Sequence, residues 1–372
     1  MKRILRLATF AFLLSLFIPS GLVFAEDKPV SVTFINPGAS DAKHTTGDFW
    51  LLVSTFMQAA AKSLGFELEI LYGERKFEPM EKHAKDIAAR PKKPDYIVIV
   101  NEKDVGPRLL DILKDTGSKI FIMSNDLKPD QYKDVGLPRE KIKNLIGSMV
   151  SDNVYAGEAM MESLVKAAKS LPAKKNNLLI VSGDRATPAS LEREEGLKKV
   201  LEKHKGKIEV KQTVYGEWRE DKAYDASKAL FPRYPDIDMV FAANDPIAFG
   251  AIKAMTEAGK KPGKDILVTG LNWSQDALKK IKEGEMVSSA GGHFMTGGWA
   301  LVMLYDYHRG KDFGKNGEYR LRYKIFDIID KGNLPKWEPL LQIESWDKID
   351  FKKYTKTHNP KLKDYDFRLL KK

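Results

Sequence analysis

Residues 239–259, MVFAANDPIAFGAIKAMTEAG, contain a pattern that recurs along the chain. It opens with an apolar run, breaks at Asn244, Asp245 and Pro246, and resumes with small and apolar residues at helical spacing. This pattern predicts a buried strand followed directly by a helix. The polar residues at the break have two explanations. Either Asp245 and Pro246 are the N-cap and first-turn pair of the helix, or the strand end faces a ligand.

Short apolar runs alternate with longer amphipathic segments along most of the chain, and the order seen before residue 150 returns after it. The predicted strands include VSVTFINPG (30–38), ELEILYG (67–73), DYIVIVN (95–101), NLLIVSGD (177–184) and DILVTGLN (265–272). Alternation of this kind predicts parallel sheets with helices on both faces. Because the two halves share one order, two similar α/β lobes are favoured over a single very large sheet.

The N-terminus, MKRILRLATFAFLLSLFIPSGLVFA, has basic residues, then an apolar run, then small residues. This order predicts a secretory signal peptide over residues 1–25, cleaved after Ala25. A membrane anchor is the alternative, but the apolar run is shorter than the roughly 20 residues that a span needs. We therefore expect a periplasmic mature chain that does not insert into a membrane.

Composition limits the functions further. The 372 residues are 43% hydrophobic and 30% charged, which is enough for one large core or two ordinary ones. There is no cysteine, so no disulfide or cysteine-linked lipid is possible. The formal net charge is +11, and the densest basic region is the tail, residues 351–372. Export argues against a nucleic-acid partner, so we expect a solvated tail or one that wraps a lobe.

Polar residues finish nearly all of the predicted strands. They are Asn101, Ser124, Asn125, Asp126, Asp184, Arg185, Asn244, Asp245 and Asn272. Ligands of open α/β sheets bind beyond the carboxyl ends of the strands, and an amide both donates and accepts hydrogen bonds, as sugar hydroxyls do. Phe49, Trp50 and Trp218 offer flat faces on which a sugar can stack. Trp50 has a second explanation, since it can simply pack into a core.

Four stretches in this order resemble the type I periplasmic binding proteins, the ribose- and galactose-binding kind that serve ABC sugar importers. They are SDNVYAGEAM (151–160), ASLEREEGL (189–197), YPDIDMVFAANDPIAFGAIKAMTEAGK (234–260) and ILVTGLNWS (266–274). The resemblance implies two similar three-layer α/β lobes with parallel sheets, joined by a three-segment hinge. The lobes would be 29–149 with 292–322 and 150–291 with 323–345, leaving 346–372 as a basic extension. Hinge crossings are expected near 149–150, 291–292 and 323–324.

The resemblance also implies a set of ligand-binding residues. They are Phe49, Trp50, Asn101, Asn125, Asp126, Arg193, Trp218, Asn244, Asn272 and His293. Arg193 is the strongest candidate because its planar fork of donors can grip a ring oxygen, vicinal hydroxyls or an anion. The alternative for Arg193 is a surface helix position beside Glu192 and Glu194.

Departures from the family pattern matter for the ligand. The Asp-Arg pair that ends a strand of the first lobe is Ser124-Asn125 here, with Asp126 one step later, and the last strand of the second lobe ends on Asn272 instead of an Asp. A pentose site is therefore disfavoured. The less negative pocket suits a polyol, a modified sugar or an acidic sugar.

We therefore predict a monomeric periplasmic receptor that closes on a small sugar-like ligand and presents it to an ABC permease. A membrane histidine kinase or chemoreceptor is the alternative partner, because the autoinducer-2-binding receptor of this family has a similar pocket. A cytosolic repressor would begin with a DNA-binding helix-turn-helix, not a signal peptide. The chain has no G-x-S-x-G, H-E-x-x-H or P-loop, so we predict no enzyme, and neither a metal nor a cofactor is indicated.

Overall fold

Two six-stranded sheets organise the protein in a computed structural model, which describes residues 28–171, 176–367 and 369. The first sheet has the order β11-β5-β4-β3-β1-β2 and the second has the order β12-β10-β9-β8-β6-β7. The first contains β1 (Val30–Asn36), β2 (Phe66–Tyr72), β3 (Tyr96–Ile99), β4 (Lys119–Met123), β5 (Leu145–Ser151) and β11 (Arg320–Tyr323). The second contains β6 (Asn176–Ser182), β7 (Ile208–Tyr215), β8 (Met239–Ala242), β9 (Leu267–Leu271), β10 (Ser288–Gly291) and β12 (Asp327–Asp330).

Strands pair in parallel in both sheets, except that β12 runs antiparallel to β10. The predicted fold of two similar α/β lobes with parallel sheets is confirmed. We use first lobe and second lobe for the halves built on the first and second sheet. The edge strands β11 and β12 were missing from the sequence prediction because they are short and only partly buried.

Helices cover both faces of each sheet. On the first sheet they are α1 (Phe49–Leu64), α2 (Phe77–Ala89), α3 (Gly106–Leu113), α4 (Pro129–Val135) and α10 (Thr296–His308). On the second they are α5 (Asn153–Ala167), α6 (Pro188–Lys203), α7 (Glu220–Leu230), α8 (Asp245–Glu257), α9 (Gln275–Glu283) and the short α11 (Leu334–Trp337). The apolar residues of the inner strands are almost fully buried between these layers, whereas those of the edge strands β2 and β7 are partly exposed.

The stretch at residues 239–259 forms β8 and α8, as predicted. The cap of α8 lies one residue earlier than expected, because the side chain of Asn244 accepts the Ile247 N–H at 2.9 Å. Asp245 is instead the first helical residue and is fully buried. Its carboxylate accepts hydrogen bonds from the backbone N–H and hydroxyl of Ser274 and from the Ser289 hydroxyl. The Asn244 amide and the Asp245 carboxylate at this strand end therefore both have hydrogen-bond partners within the protein.

The chain passes between the lobes after β5, after β10 and after β11. A C-terminal segment, residues 338–367, then leaves the second lobe and returns to the first. Its early part contacts α9, where the Gln275 side chain donates to the Leu341 carbonyl at 3.3 Å. Further on, Trp346, Phe351 and Phe367 are buried against the first lobe. The C-terminal segment therefore wraps the first lobe, one of the two arrangements expected for it.

The predicted signal peptide, residues 1–25, lies outside the described residues. Within the part of the chain that the structure describes, no helix is long and apolar enough to cross a membrane.

Candidate functional site

A cavity lies between the lobes, where the carboxyl ends of the strands of both sheets meet. It encloses about 600 Å³ of space, part of which is open to solvent. Most of its lining residues are polar, and both lobes contribute aromatic side chains. The lining residues are Thr46, Phe49, Trp50, Arg75, Glu102, Ser124, Asn125, Ser151, Asn153, Thr187, Ala189, Arg193, Trp218, Asn244, Asn272 and His293.

Eight of the ten predicted site residues line this cavity: Phe49, Trp50, Asn125, Arg193, Trp218, Asn244, Asn272 and His293. Asn101 and Asp126 do not. The Asn101 side chain donates to the Asp126 carbonyl and to Gln131, and it accepts the Gly106 N–H. Its hydrogen-bonding groups therefore join the end of β3 to α3 and to the loop after β4.

The Asp126 carboxylate is also occupied within the first lobe. It accepts hydrogen bonds from the Leu127 N–H and the Tyr132 hydroxyl, and its other oxygen contacts Nε of Arg320 at 3.1 Å. Neighbours in sequence thus differ in role, since Asn125 faces the cavity and Asp126 does not. Strand-end position alone could not separate them.

Arg193 is buried, with 4% of its surface exposed, although it lies on a helix rich in charged residues. The helix α6 touches α5 closely at two glycines, because a Cβ on Gly157 would overlap the Arg193 carbonyl and a Cβ on Gly196 would overlap the Val154 carbonyl. This contact turns Arg193 into the cleft. The alternative of a surface arginine is therefore wrong.

The guanidinium of Arg193 is held by neutral acceptors. Nε donates to the Asn153 side chain at 3.1 Å, and Nη1 donates to the Ala243 carbonyl at 2.8 Å. Among the described residues these bonds leave Nη2 for a ligand. Burial lowers the pKa of Arg193 to about 9, so the guanidinium remains positively charged at neutral pH.

Trp218 forms one wall of the cavity and is fixed by a second residue from the strand-end set. Its indole N–H donates to the Asp184 carboxylate at 2.5 Å, and its ring lies against Gly183, where a Cβ would overlap it. Asp184 also accepts from the Thr187 hydroxyl and backbone N–H. These hydrogen bonds lower the pKa of Asp184, so it is ionised and positions Trp218.

Phe49, Trp50 and His293 form the opposite aromatic wall. Phe49 stacks on the His293 ring with centroids 4.3 Å apart and meets Trp50 edge-on at 5.1 Å. Burial, together with the charge of Arg193, lowers the pKa of His293 well below its usual range, so this imidazole is neutral at neutral pH. Its Nδ1 is buried without a hydrogen-bond partner among the described residues. The wall is therefore aromatic and uncharged, with Trp50 at a steep angle to the Phe49–His293 stack.

Backbone strain concentrates around the cavity. Four lining residues that are not glycine have positive φ angles: Arg75 (59°), Ser124 (65°), Trp218 (61°) and Asn272 (154°). Such conformations cost about 1–3 kcal/mol each and occur most often at ligand sites, where surrounding contacts hold them. The strained backbone here directs these side chains into the cleft.

Sequence reasoning missed Arg75 and Glu102, which form an ion pair in the cavity wall with Nη2 and Oε1 2.6 Å apart. Their side chains are only 11% and 3% exposed. Arg75 lies just beyond the end of β2, and Glu102 is the sequence neighbour of the predicted Asn101. Applying the strand-end rule to every strand would have found the first. No local sequence pattern marks five other lining residues as part of a site. They are Thr46, Ser151, Asn153, Thr187 and Ala189.

The two lobes touch around the cavity. The Ala189 N–H donates to the Asn125 side chain at 3.3 Å, and the Glu220 N–H donates to the Thr45 carbonyl at 3.0 Å. Arg322 and Glu192 form a two-pronged ion pair at 2.7 and 2.8 Å. The lobes are therefore in direct contact around the cavity. No group of side chains suited to a metal ion occurs among the described residues.

Comparisons with known proteins agree with this architecture. A family model for the periplasmic binding protein domain matches residues 42–312. The chain is 25% identical to the ribose import binding protein of Salmonella typhimurium over 242 residues, covering 65% of this chain and 74% of the relative. It is 24% identical to the galactofuranose-binding protein of Escherichia coli over 265 residues, covering 70% and 76%.

Solved structures extend the likeness to nearly the whole chain. A periplasmic sugar-binding protein from Pseudomonas fluorescens is 36% identical with a TM-score of 0.80, covering 91% of this chain and 98% of that one. An ABC transporter solute-binding protein from Actinobacillus succinogenes shares the fold at 18% identity and a TM-score of 0.70, covering 83% and 100%. The resemblance predicted from sequence is confirmed. Because the family model spans most of the chain and the two-lobed cleft has the corresponding architecture, the chain belongs to the periplasmic binding protein domain family.

Proposed function

We propose that this protein is the binding component of an ABC importer, which captures a small sugar or sugar-like ligand between its lobes and delivers it to a membrane permease. The observation that carries the proposal is the cavity itself. Aromatic faces from Phe49, Trp50 and Trp218 enclose it, and polar groups from both lobes form its rim. Aromatic rings pack on the C–H faces of a sugar, while amides and a guanidinium satisfy its hydroxyls.

Ligand binding would stabilise the closed form, because residues of both lobes would contact the same molecule. The contacts between the lobes include hydrogen bonds and a partly exposed ion pair that water can replace. Closure therefore reports occupancy to a partner. The relatives are named for import and sugar binding, which favours transport over the sensory alternative. Catalysis is not part of the proposal.

A thermal-shift screen of residues 26–372 against neutral sugars, polyols and sugar acids tests the binding step. A ligand that binds only the folded protein raises the melting temperature. We expect a clear shift with at least one compound, lost in Trp218→Ala and Arg193→Ala. A matched control is Arg185→Ala, which removes an exposed arginine outside the cavity. The proposal is contradicted if no compound shifts the melting temperature, or if the control and the cavity variants behave alike.

Uptake measurements separate transport from sensing. Deleting the gene should abolish uptake of the radiolabelled compound found in the screen, and a plasmid copy should restore it. A sensory role would instead leave uptake intact and abolish a transcriptional or chemotactic response to the compound.

Localisation and assembly complete the proposal. We propose that the protein acts as a monomer in the periplasm after cleavage at Ala25. Mass spectrometry of the periplasmic fraction should find a chain that begins at Glu26, and light scattering should give a monomer mass. An uncleaved chain in the membrane fraction would contradict the proposed localisation.

A further inference from the structure

The charged groups that face the cavity do not balance. Arg75 and Glu102 form a close pair and cancel each other. Arg193 adds a positive charge that no lining carboxylate neutralises, because Glu102 is the acidic member of the lining and is already paired. His293 contributes no charge at neutral pH. The lining as a whole therefore carries one net positive charge.

Carboxylates near Arg193 are committed to other groups. Glu192 pairs with Arg322, and Asp184 accepts the Trp218 indole N–H and two donors of Thr187. Asp245 accepts from Ser274 and Ser289, and burial raises its pKa to about 6. None of the three lines the cavity. A buried guanidinium without a carboxylate partner is costly, since desolvation of its charge is not repaid.

The lining amides offer a ligand both donors and acceptors. The side-chain oxygens of three of them each accept one protein donor: Asn125 from the Ala189 N–H, Asn153 from Arg193 and Asn244 from the Ile247 N–H. An amide oxygen has two lone pairs, so each keeps one acceptor site, and Asn153 and Asn244 each donate one N–H to a protein carbonyl. The donor excess of the cavity therefore comes from the Arg193 guanidinium, not from the amides.

We propose that the physiological ligand is a sugar acid, a polyhydroxylated compound with one carboxylate, whose carboxylate pairs with Arg193. This inference rests on the proposed function and specifies its substrate class. The aromatic walls would take the apolar faces of the sugar, and the Glu102 carboxylate would accept hydroxyl hydrogen bonds. A second negative charge would meet Glu102, so a sugar phosphate is disfavoured.

Calorimetric titration of residues 26–372 with matched pairs tests the proposal without any mutation. The pairs are glucose with glucuronate and galactose with galacturonate, extended by gluconate, galactonate and glucose 6-phosphate. We expect at least one monocarboxylate to bind about tenfold or more tightly than its neutral counterpart and than the phosphate. Neutral sugars that bind more tightly than the acids would overturn the sugar-acid inference while leaving the sugar-binding proposal intact. Absence of binding to every compound would overturn both.

Two charge variants locate the preference. Arg193→Gln should weaken binding of the acid about 100-fold and bring the affinities of acid and neutral sugar close together. Asn272→Asp, which adds a carboxylate to the lining, should weaken the acid about tenfold more than it weakens the neutral sugar. Arg185→Gln is the control for loss of an exposed positive charge outside the cavity lining and should leave the acid-to-neutral ratio unchanged. Equal acid preference in all three variants would overturn the assignment to Arg193, and Asn272→Asp keeps the test valid if Arg193→Gln does not fold.

Discussion

The first lobe has two interfaces that are built in opposite ways. Against the C-terminal segment it buries aromatic rings: Trp299, fully buried, lies 5.6 Å from Phe351 and 5.2 Å from Phe367 between ring centroids. Against the second lobe it presents hydrogen bonds, one ion pair, a cavity and a ring stack of Phe49, His293 and Phe326. An interface that stays closed can rely on apolar burial, whereas one that opens needs contacts that water can replace.

Polar groups follow the same division. Asp306 is fully buried beneath the C-terminal segment, and its carboxylate accepts from the Lys356 N–H, the Thr357 N–H and hydroxyl, and the Tyr365 hydroxyl. At the cleft, Arg193 has donor capacity left for a ligand. The saturated carboxylate of Asp306 therefore fixes the structure, whereas the spare donors of Arg193 can recognise a ligand.

The largest predicted effect breaks the aromatic interface. Trp299→Ala should lower the free energy of unfolding by about 3–5 kcal/mol, because it opens a cavity among Phe56, Phe351 and Phe367. Urea unfolding followed by circular dichroism measures the change, with Trp299→Phe as a milder variant if the alanine variant does not fold. Leu137→Ala, at a side chain 43% exposed, is the control and should change stability by less than about 0.5 kcal/mol. A loss as small as that of the control would show that the C-terminal segment packs loosely.

The next effect removes the polar anchor of the same interface. Asp306→Ala should lower the free energy of unfolding by about 2 kcal/mol, because four buried or partly buried donors lose their acceptor. Asp306→Asn should lose less, since an amide oxygen still accepts. Proteolysis with trypsin should cut the alanine variant first in the C-terminal segment. Equal stability of both variants and wild type would contradict the anchoring role.

A pH titration tests the buried carboxyl of Asp245, at a strand end of the second lobe. Burial raises the folded-state pKa of Asp245 from 3.8 to about 6, so the folded protein takes up a proton before the unfolded chain does. As pH falls from 7 to 5, this carboxyl should therefore add about 1 kcal/mol to the free energy of unfolding, a gain that is lost again as pH rises. The difference between wild type and Asp245→Asn in urea unfolding at pH 5, 6 and 7 isolates this contribution. A difference that does not depend on pH would contradict it.

The smallest effect concerns the contact that joins the lobes. Glu192→Gln should change the free energy of unfolding by less than about 1 kcal/mol, because its pair with Arg322 is partly exposed. It should still weaken ligand binding about threefold, since the closed form loses a contact. Glu81→Gln is the matched control, because the Glu81 side chain is equally exposed at 24% and its partner Arg108 is in the same lobe. Equal affinities of the two variants would show that the Arg322–Glu192 pair does not favour closure.

Local patterns in the sequence were enough to predict the architecture and the region of the site. Strand and helix periodicity is local, so the alternation predicted two parallel-sheet lobes, and the ends of parallel strands meet at one edge of each sheet. That rule found Asn125, Asn244 and Asn272, and the family resemblance added Arg193 and His293.

Contacts between segments far apart in the sequence determine which of the polar residues face the cavity. Asn101 is bound by Gln131, 30 residues away, and Asp126 by Arg320, 194 residues away. Arg75 and Glu102 meet across neighbouring loops to form a pair that no local pattern announces. For the C-terminal segment the sequence left two arrangements open, a solvated tail and one that wraps a lobe, and the contacts of Phe351 and Phe367 with Trp299 decide for the second. Hydrogen-bond and ring partners depend on contacts between distant segments, and periodicity along the chain contains no information about them.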